Sequence, residues 1–358
     1  MQLKSIVLSN GSFDTKSAKT AHGLIRGSVR YDILAVIDPV FFGQDAGAVL
    51  DGRERGIPIY KTVKDFIATG GKAENCVVGV APKGGQLPKS MEEDVVTAME
   101  NGMDVVSGLH SFLNDNERLA TLAKEKGVTI HDIRQPRERK YLKFWTGDIY
   151  KVKSAKIAVM GTDCGLGKRT TSKFIVEAIR KEGMISEMIY TGQTGWMQGW
   201  KYGFILDSTY NDYVSGELEN ALVTCDRELN PDLMVIEGQA ALRNISGPCG
   251  SEFLLSGDVD GVILQHAPAR VHYDGFEYLD AKIPPITEDI ALIKMYGKEV
   301  IGVTLNTRGL TIDQALRHKE EYEQKLGIPV ALPVERGVDD ILGPIRELIK
   351  RKNANKGN

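Results

Sequence analysis

The residues with the clearest chemical potential form one run, Gly161-Thr162-Asp163-Cys164-Gly165-Leu166-Gly167-Lys168-Arg169-Thr170-Thr171. An apolar stretch at 155–160 precedes it, and a helical pattern at 172–181 follows. A glycine-rich turn between strand and helix aims successive backbone N–H groups into one concavity. The helix start adds partial positive charge and Lys168 adds a full one, which together make a cradle for phosphate. The candidate cofactor-binding residues are therefore Gly161, Thr162, Asp163, Cys164, Gly165, Gly167, Lys168, Arg169, Thr170 and Thr171. The spacing departs from the usual phosphate loop. Five residues rather than four separate Gly161 from Gly167, and Arg169 stands where a metal-bridging hydroxyl is expected; Thr170 and Thr171 come next.

Further candidates fall at the ends of apolar runs. The stretch at 233–237 delivers Glu237, at the strand edge where open α/β sheets bind ligands. There a carboxylate can order a metal or a water, or can simply be a solvated strand end. Thr191-Gly192-Gln193-Thr194-Gly195 reads as a polar loop on the same sheet edge, making Gln193 and Thr194 candidate substrate contacts or parts of a plain turn. Asp207 and Asp212 read as a helix cap and a surface charge at least as well as ligands. His266 follows the run at 261–265; its pKa range suits a general base, although a lone histidine is as often structural. Arg270 has the planar fork that clamps a carboxylate. Asn306 pairs a donor with an acceptor and can read a base or a pantetheine amide. His110, the run Asp132-Ile133-Arg134, Lys16 and Lys19 occupy corresponding places in the first half, where they could line a cleft between domains or serve as turn and cap residues.

Two sets of alternating elements must position these groups. In the first half, apolar runs at 5–8, 31–37, 76–80, 104–107 and 128–133 alternate with helical patterns at 16–26, 92–101 and 114–126. In the second, strands are expected at 157–160, 186–191, 233–237, 261–265, 300–305 and 328–332. Such repeated βα units predict an α/β protein with two parallel-sheet domains, an N-terminal Rossmann-like domain over 1–150 and a C-terminal P-loop NTPase-like domain over 151–350. The charged, aromatic stretch at 135–153 reads as a linker or crossover segment, and 351–358 as a frayed tail. No GxGxxG follows the first strand; Ser9-Asn10-Gly11-Ser12-Phe13 stands there, and Pro82-Lys83-Gly84-Gly85 follows a later one. Dinucleotide binding therefore lacks its usual motif.

Composition bounds the partners. The chain has 358 residues and a net charge of −3, so no global basic field draws nucleic acid. The first residues lack a signal-peptide pattern and no apolar run is long enough to span a bilayer. Four cysteines without CxxC pairing or zinc spacing fit a reducing, cytoplasmic setting. A small-molecule substrate is expected, with no nucleic acid or membrane partner, and a homo-oligomer is the common state of α/β enzymes of this size.

The Gly-Thr-Asp opening and the five-residue gap resemble the loop of dethiobiotin synthetase, which keeps a hydroxyl directly after the lysine. A wider resemblance runs through residues 16–24, Gly108-Leu109-His110 with Phe112-Leu113, Asp132-Ile133-Arg134, the loop itself, Gly192-Gln193-Thr194-Gly195, Glu237-Gly238-Gln239 and Leu305-Asn306-Thr307. In this order they resemble a bacterial and archaeal family with an N-terminal Rossmann-like and a C-terminal P-loop domain, which includes the D-glutamate N-acetyltransferases of D-amino-acid catabolism. The resemblance implies acetyl-CoA as cofactor, its diphosphate held by the loop with Lys168 and Arg169. It also implies a small amino-acid substrate held by Arg or Lys, and Glu237 or His266 as base. The competing class is an ATP-dependent kinase or ligase similar to dethiobiotin synthetase, in which Thr170 and Glu237 organise Mg²⁺. A third is a non-catalytic nucleotide-binding protein.

Overall fold

The computed structural model describes residues 2–82 and 84–356. Lys83 of the polar stretch at 82–85 and the last two residues of the expected tail lie outside the described residues. The chain divides into two compact units. One takes the residues up to Pro136 together with Gln193–Trp200; the other takes Arg137–Gly192 and everything from Lys201 onward.

The first unit is built on six parallel strands, β1 (Leu3–Leu8), β2 (Tyr31–Ile37), β3 (Ile59–Tyr60), β4 (Asn75–Val78), β5 (Asp104–Ser107) and β6 (Ile130–Asp132). Their spatial order is 3-2-1-4-5-6, the doubly wound order. Continuous apolar stretches such as Ile6-Val7-Leu8 are buried on both faces, as a sheet covered by helices on each side requires. After β1 the chain passes through two left-handed residues, Asn10 (φ 48°) and Gly11 (φ 75°). Asp38, just past β2, is fully buried and fixes this turn: it accepts from Ser9 Oγ and Gly11 N at 2.8 Å each, and from Val40 N at 2.9 Å. In dinucleotide-binding sheets an acid in this place takes a ribose. Here its oxygens hold the protein's own loop.

The segment 193–200 corrects the expectation of a polar loop on the second sheet. It forms a helix, Gln193–Gln198, inside the first unit. Met197 is fully buried in one core cluster with Val7 and Phe13. Thr194 Oγ1 lies 3.1 Å from Thr20 Oγ1, Gln198 donates to Gly23 O at 2.9 Å, and the Arg30 guanidinium stacks 4.0 Å from the Trp196 ring. Gly108 must be glycine for this packing, since a Cβ there would stand 2.8 Å from Gln193 Cγ.

The second unit holds seven parallel strands, β7 (Ala155–Gly161), β8 (Ser186–Tyr190), β9 (Tyr202–Gly203), β10 (Leu233–Glu237), β11 (Gly261–His266), β12 (Val300–Leu305) and β13 (Val330–Ala331), in the order 13-12-11-7-10-8-9. All seven residues of β7 are buried, and β10 and β11 flank it, so the glycine-rich turn leaves the middle of the sheet. The stretch expected as a linker or crossover segment passes from the first unit into this one. Its residues from Arg137 belong to this unit, and the division falls at Pro136 rather than near 150. Two buried acids on the helix Asn211–Leu229 fasten it. Glu217 accepts from Arg137 Nη2 at 2.6 Å and Lys143 N at 2.8 Å; Glu219 accepts from Thr146 N at 2.6 Å and Ile149 N at 3.1 Å. The expected frayed tail is helical through residue 356, as part of Asp339–Lys356. Among the described residues no helix is long and apolar enough to cross a membrane.

Candidate phosphate site

The turn from β7 into the helix Lys168–Lys181 needs two glycines in the left-handed region, Gly165 (φ 61°) and Gly167 (φ 98°). Gly167 is the N-cap and brings no side chain to the helix start. Thr171 N–H already belongs to the helix ladder, donating to Gly167 O at 3.0 Å, while the amides ahead of it have no helical turn behind them. This is the geometry that receives an anion.

Several side chains brace the loop. Thr162 Oγ1 pairs with His266 Nδ1 at 2.9 Å, and Thr162 N–H donates to Gln265 O at 3.0 Å. Thr171 Oγ1 donates to Gln265 Oε1 at 2.7 Å, and the other end of that amide donates to Leu166 O at 2.8 Å. Asn306 Nδ2 donates to the same Leu166 carbonyl at 2.8 Å, and its Oδ1 accepts from Arg308 N at 3.1 Å. Asn306 therefore braces the loop, and both ends of its amide are engaged, against the expectation that it reads a ligand. Asp163, fully buried, accepts from Asn244 Nδ2 at 3.0 Å, Arg270 Nη1 at 2.7 Å and Asp274 N at 2.9 Å. The same Arg270 nitrogen reaches Cys164 O at 2.6 Å. The expected carboxylate clamp is thus an internal ion pair, and the Asp163 side chain is likewise committed.

Lys168 is buried with its Nζ 2.7 Å from Asp163 O and 2.7 Å from Ala240 O. Burial pushes its pKa down to about 8, against the pull of Cys164, Asp163, Cys249 and Glu237 nearby. Ala240 adopts φ 31°, a left-handed conformation rare for alanine, and it is its carbonyl that meets the lysine. Arg169 and Thr170, the next residues along the helix, are half-buried.

Glu237 ends β10 beside this lysine and is 5% exposed. Burial raises its pKa; Arg169, the Thr191 and Gly192 amides and Lys168 pull the other way. Its Oε2 accepts from Thr191 N at 3.2 Å. Gly238 allows the strand end to sit this deep, because a Cβ there would lie 2.1 Å from Val159 O. His266 is held neutral: burial first, then Arg270 and His318, lower its pKa to about 4. Its ring meets Tyr322 edge-on at 5.6 Å.

The second unit thus gathers the loop, Glu237, His266, Arg270 and Asn306. Gln193, Thr194 and His110 belong to the first unit, where Gln193 and Thr194 are buried and His110 is exposed against Gly85. Asp207 and Asp212 are exposed, the latter in the first turn of its helix. Sequence reasoning misses Asn244, Gln265, Ala240 and Asp274 as loop partners. Asn244 lies 81 residues and Asp274 111 residues from Asp163, and neither stands in a motif.

Strand order, the turn after β7 and its buried lysine define a P-loop α/β unit joined to a Rossmann-like one. Residues 143–342 match the family described as "Domain of unknown function (DUF1611_C) P-loop domain", and residues 41–136 match "Domain of unknown function (DUF1611_N) Rossmann-like domain". The chain belongs to the DUF1611 family. It is 31% identical over 283 residues to a protein of Tritonibacter scottomollicae named D-glutamate N-acetyltransferase, covering 77% of this chain and 81% of that one. A protein of the same name from a Pseudoalteromonas species is 32% identical over 282 residues, with 75% and 80% covered. The crystal structure of a DUF1611 family protein from Anabaena variabilis superposes with a TM-score of 0.86 at 26% identity, covering 98% of this chain and 100% of that one.

Proposed function

We propose that this protein is an N-acetyltransferase that moves an acetyl group from acetyl-CoA to the amine of D-glutamate or a similar small amino acid. The observation that carries this reading is the loop's hydroxyl inventory. Arg169 replaces the hydroxyl that would follow the lysine, Thr170 stands one position beyond that place, and Thr171 Oγ1 is committed to Gln265 at 2.7 Å. A loop so built suits phosphates that are gripped but do not react. The names of the two relatives support the same reaction.

In this account the loop amides of Gly165, Gly167 and their neighbours, with Lys168 and Arg169, hold the diphosphate. The acetyl donor supplies an activated thioester: the neutral amine attacks its carbonyl, the C–N bond forms, the C–S bond breaks, and the thiolate leaves with the proton that the acylated nitrogen gives up. The ammonium must first lose a proton, and Glu237 is the acceptor. A carboxylate whose pKa burial has raised is a better base than one in water. His266, with a pKa near 4 and its Nδ1 on Thr162, is a poor acceptor and orients the loop instead.

Thermal shift with acetyl-CoA, ATP plus Mg²⁺, and NAD tests the reading, since a ligand that binds only the folded state raises the melting temperature. Acetyl-CoA is expected to stabilise the protein without metal. Stabilisation by ATP with Mg²⁺ alone, together with ADP release that a chelator stops, would instead place Thr170 and Glu237 around a metal and overturn the proposal.

A further inference from the structure

We propose that the Asp163–Arg270 ion pair is a charge-cancelling tie that keeps the phosphate loop competent for anions, with Arg270 and Asn244 as positioning residues rather than ligand contacts. The proposal rests on the loop being a phosphate site. A carboxylate inside an anion cradle is an electrostatic contradiction, because at close range it repels the phosphate that the amides and lysine attract. The fold resolves it by pairing. Asp163 is fully buried and Arg270 Nη1 sits 2.7 Å from its Oδ2. The Asp274 amide meets the same oxygen at 2.9 Å, and Asn244 Nδ2 meets Oδ1 at 3.0 Å.

One side chain therefore joins three loops, those after β7, β10 and β11. Its main-chain carbonyl meanwhile holds Lys168 Nζ at 2.7 Å. Arg270 also reaches the next carbonyl, Cys164 O, at 2.6 Å. Aligned amides and a buried ammonium repel one another in a loop without its anion. The tie opposes that repulsion through side-chain geometry, while Arg270 cancels the charge that would otherwise deter the ligand.

The test is a charge cycle read by calorimetry with two probes, coenzyme A and inorganic pyrophosphate, on the full chain. Arg270→Gln leaves Asp163 uncompensated and is expected to weaken both probes at least about tenfold, a typical loss for a charge-assisted arrangement. Asp163→Asn combined with Arg270→Gln removes both charges while leaving amides that can still hydrogen-bond, and should recover most of the affinity. Arg270→Lys should keep most of it and guards against simple misfolding. Recovery in the double variant shows that the charge balance, and not the guanidinium itself, sets the affinity. Unchanged affinity in Arg270→Gln, or a double variant as weak as the single, overturns the tie. Should the wild-type protein bind neither probe, the phosphate reading itself fails, and amide exchange over residues 162–168 then judges the tie alone. Faster exchange in Arg270→Gln that the double variant reverses supports it; identical exchange in all three overturns it.

Discussion

Lys168 and Glu237 occupy the same buried corner, and each carries the consequence of being there. With a pKa near 8, Lys168 stays largely charged at neutral pH and loses its proton a little above it. A bound phosphate favours the charged form. Binding of acetyl-CoA at pH 8.5 should therefore take up protons, visible as calorimetric heats that vary with buffer ionisation enthalpy, and affinity should fall as pH rises past 8. Lys168→Arg should move that fall to higher pH. Lys168→Ala should cost about 1.5–3 kcal/mol, one to two decades in Kd. Glu237→Gln keeps the shape and removes the proposed proton acceptor. It should lower kcat by about 10²–10⁴ with little change in acetyl-CoA affinity. His266 gives a stability signature. Its folded pKa of about 4 lies below the usual 6.5, so the unfolded chain binds more protons between those values. The stability is fully present above pH 6.5 and is lost as pH falls toward 4, a tenfold difference in proton affinity being worth about 1.4 kcal/mol. His266→Asn, which retains a polar partner for Thr162 but cannot titrate, should flatten that decline in acid denaturation curves.

At the scale of elements, glycine positions make the sharpest claims. In the middle of the helix Asn211–Leu229, alanine would ordinarily be worth about 1 kcal/mol over glycine. A Cβ at Gly216, however, would lie 2.0 Å from Lys143 O, so Gly216→Ala should destabilise by about 1–3 kcal/mol in urea unfolding. The sign of that change reports whether the segment after Pro136 is fastened to this helix. The long apolar strands are legible in the sequence because burial on both faces leaves a continuous hydrophobic run. β3 and β9 are not, being two residues each, whereas the equally short β13 sits in the apolar run at 328–332. The helix Gln193–Gln198 is hidden for a different reason. Its Gly-Gln-Thr-Gly start looks like a turn, and what buries it is a tertiary partner around Thr20, far away in sequence. In the site, Lys168 and Glu237 stand in local motifs that mark them. Arg270 is visible but its role is not, because its acceptor is an aspartate 107 residues earlier.

At the scale of the whole molecule, a net charge of −3 gives no long-range attraction for an anionic cofactor. On the proposed reading, recognition comes from a local field, the amides with the buried Lys168 and the half-buried Arg169, which salt screens less than it screens surface charges. Affinity should therefore decline only modestly between about 50 and 200 mM salt. At about one hundred times its Kd, acetyl-CoA should add about 2.7 kcal/mol to the stability of the unit that binds it.

The central claim, acetyl transfer without a metal, is tested most directly by release of free thiol from acetyl-CoA with D-glutamate and a chelator present. The account predicts thiol release that requires the amine and matches the N-acetylated product mole for mole. No thiol release across small amino acids of either hand, with ADP formed from ATP and Mg²⁺ instead, would contradict it.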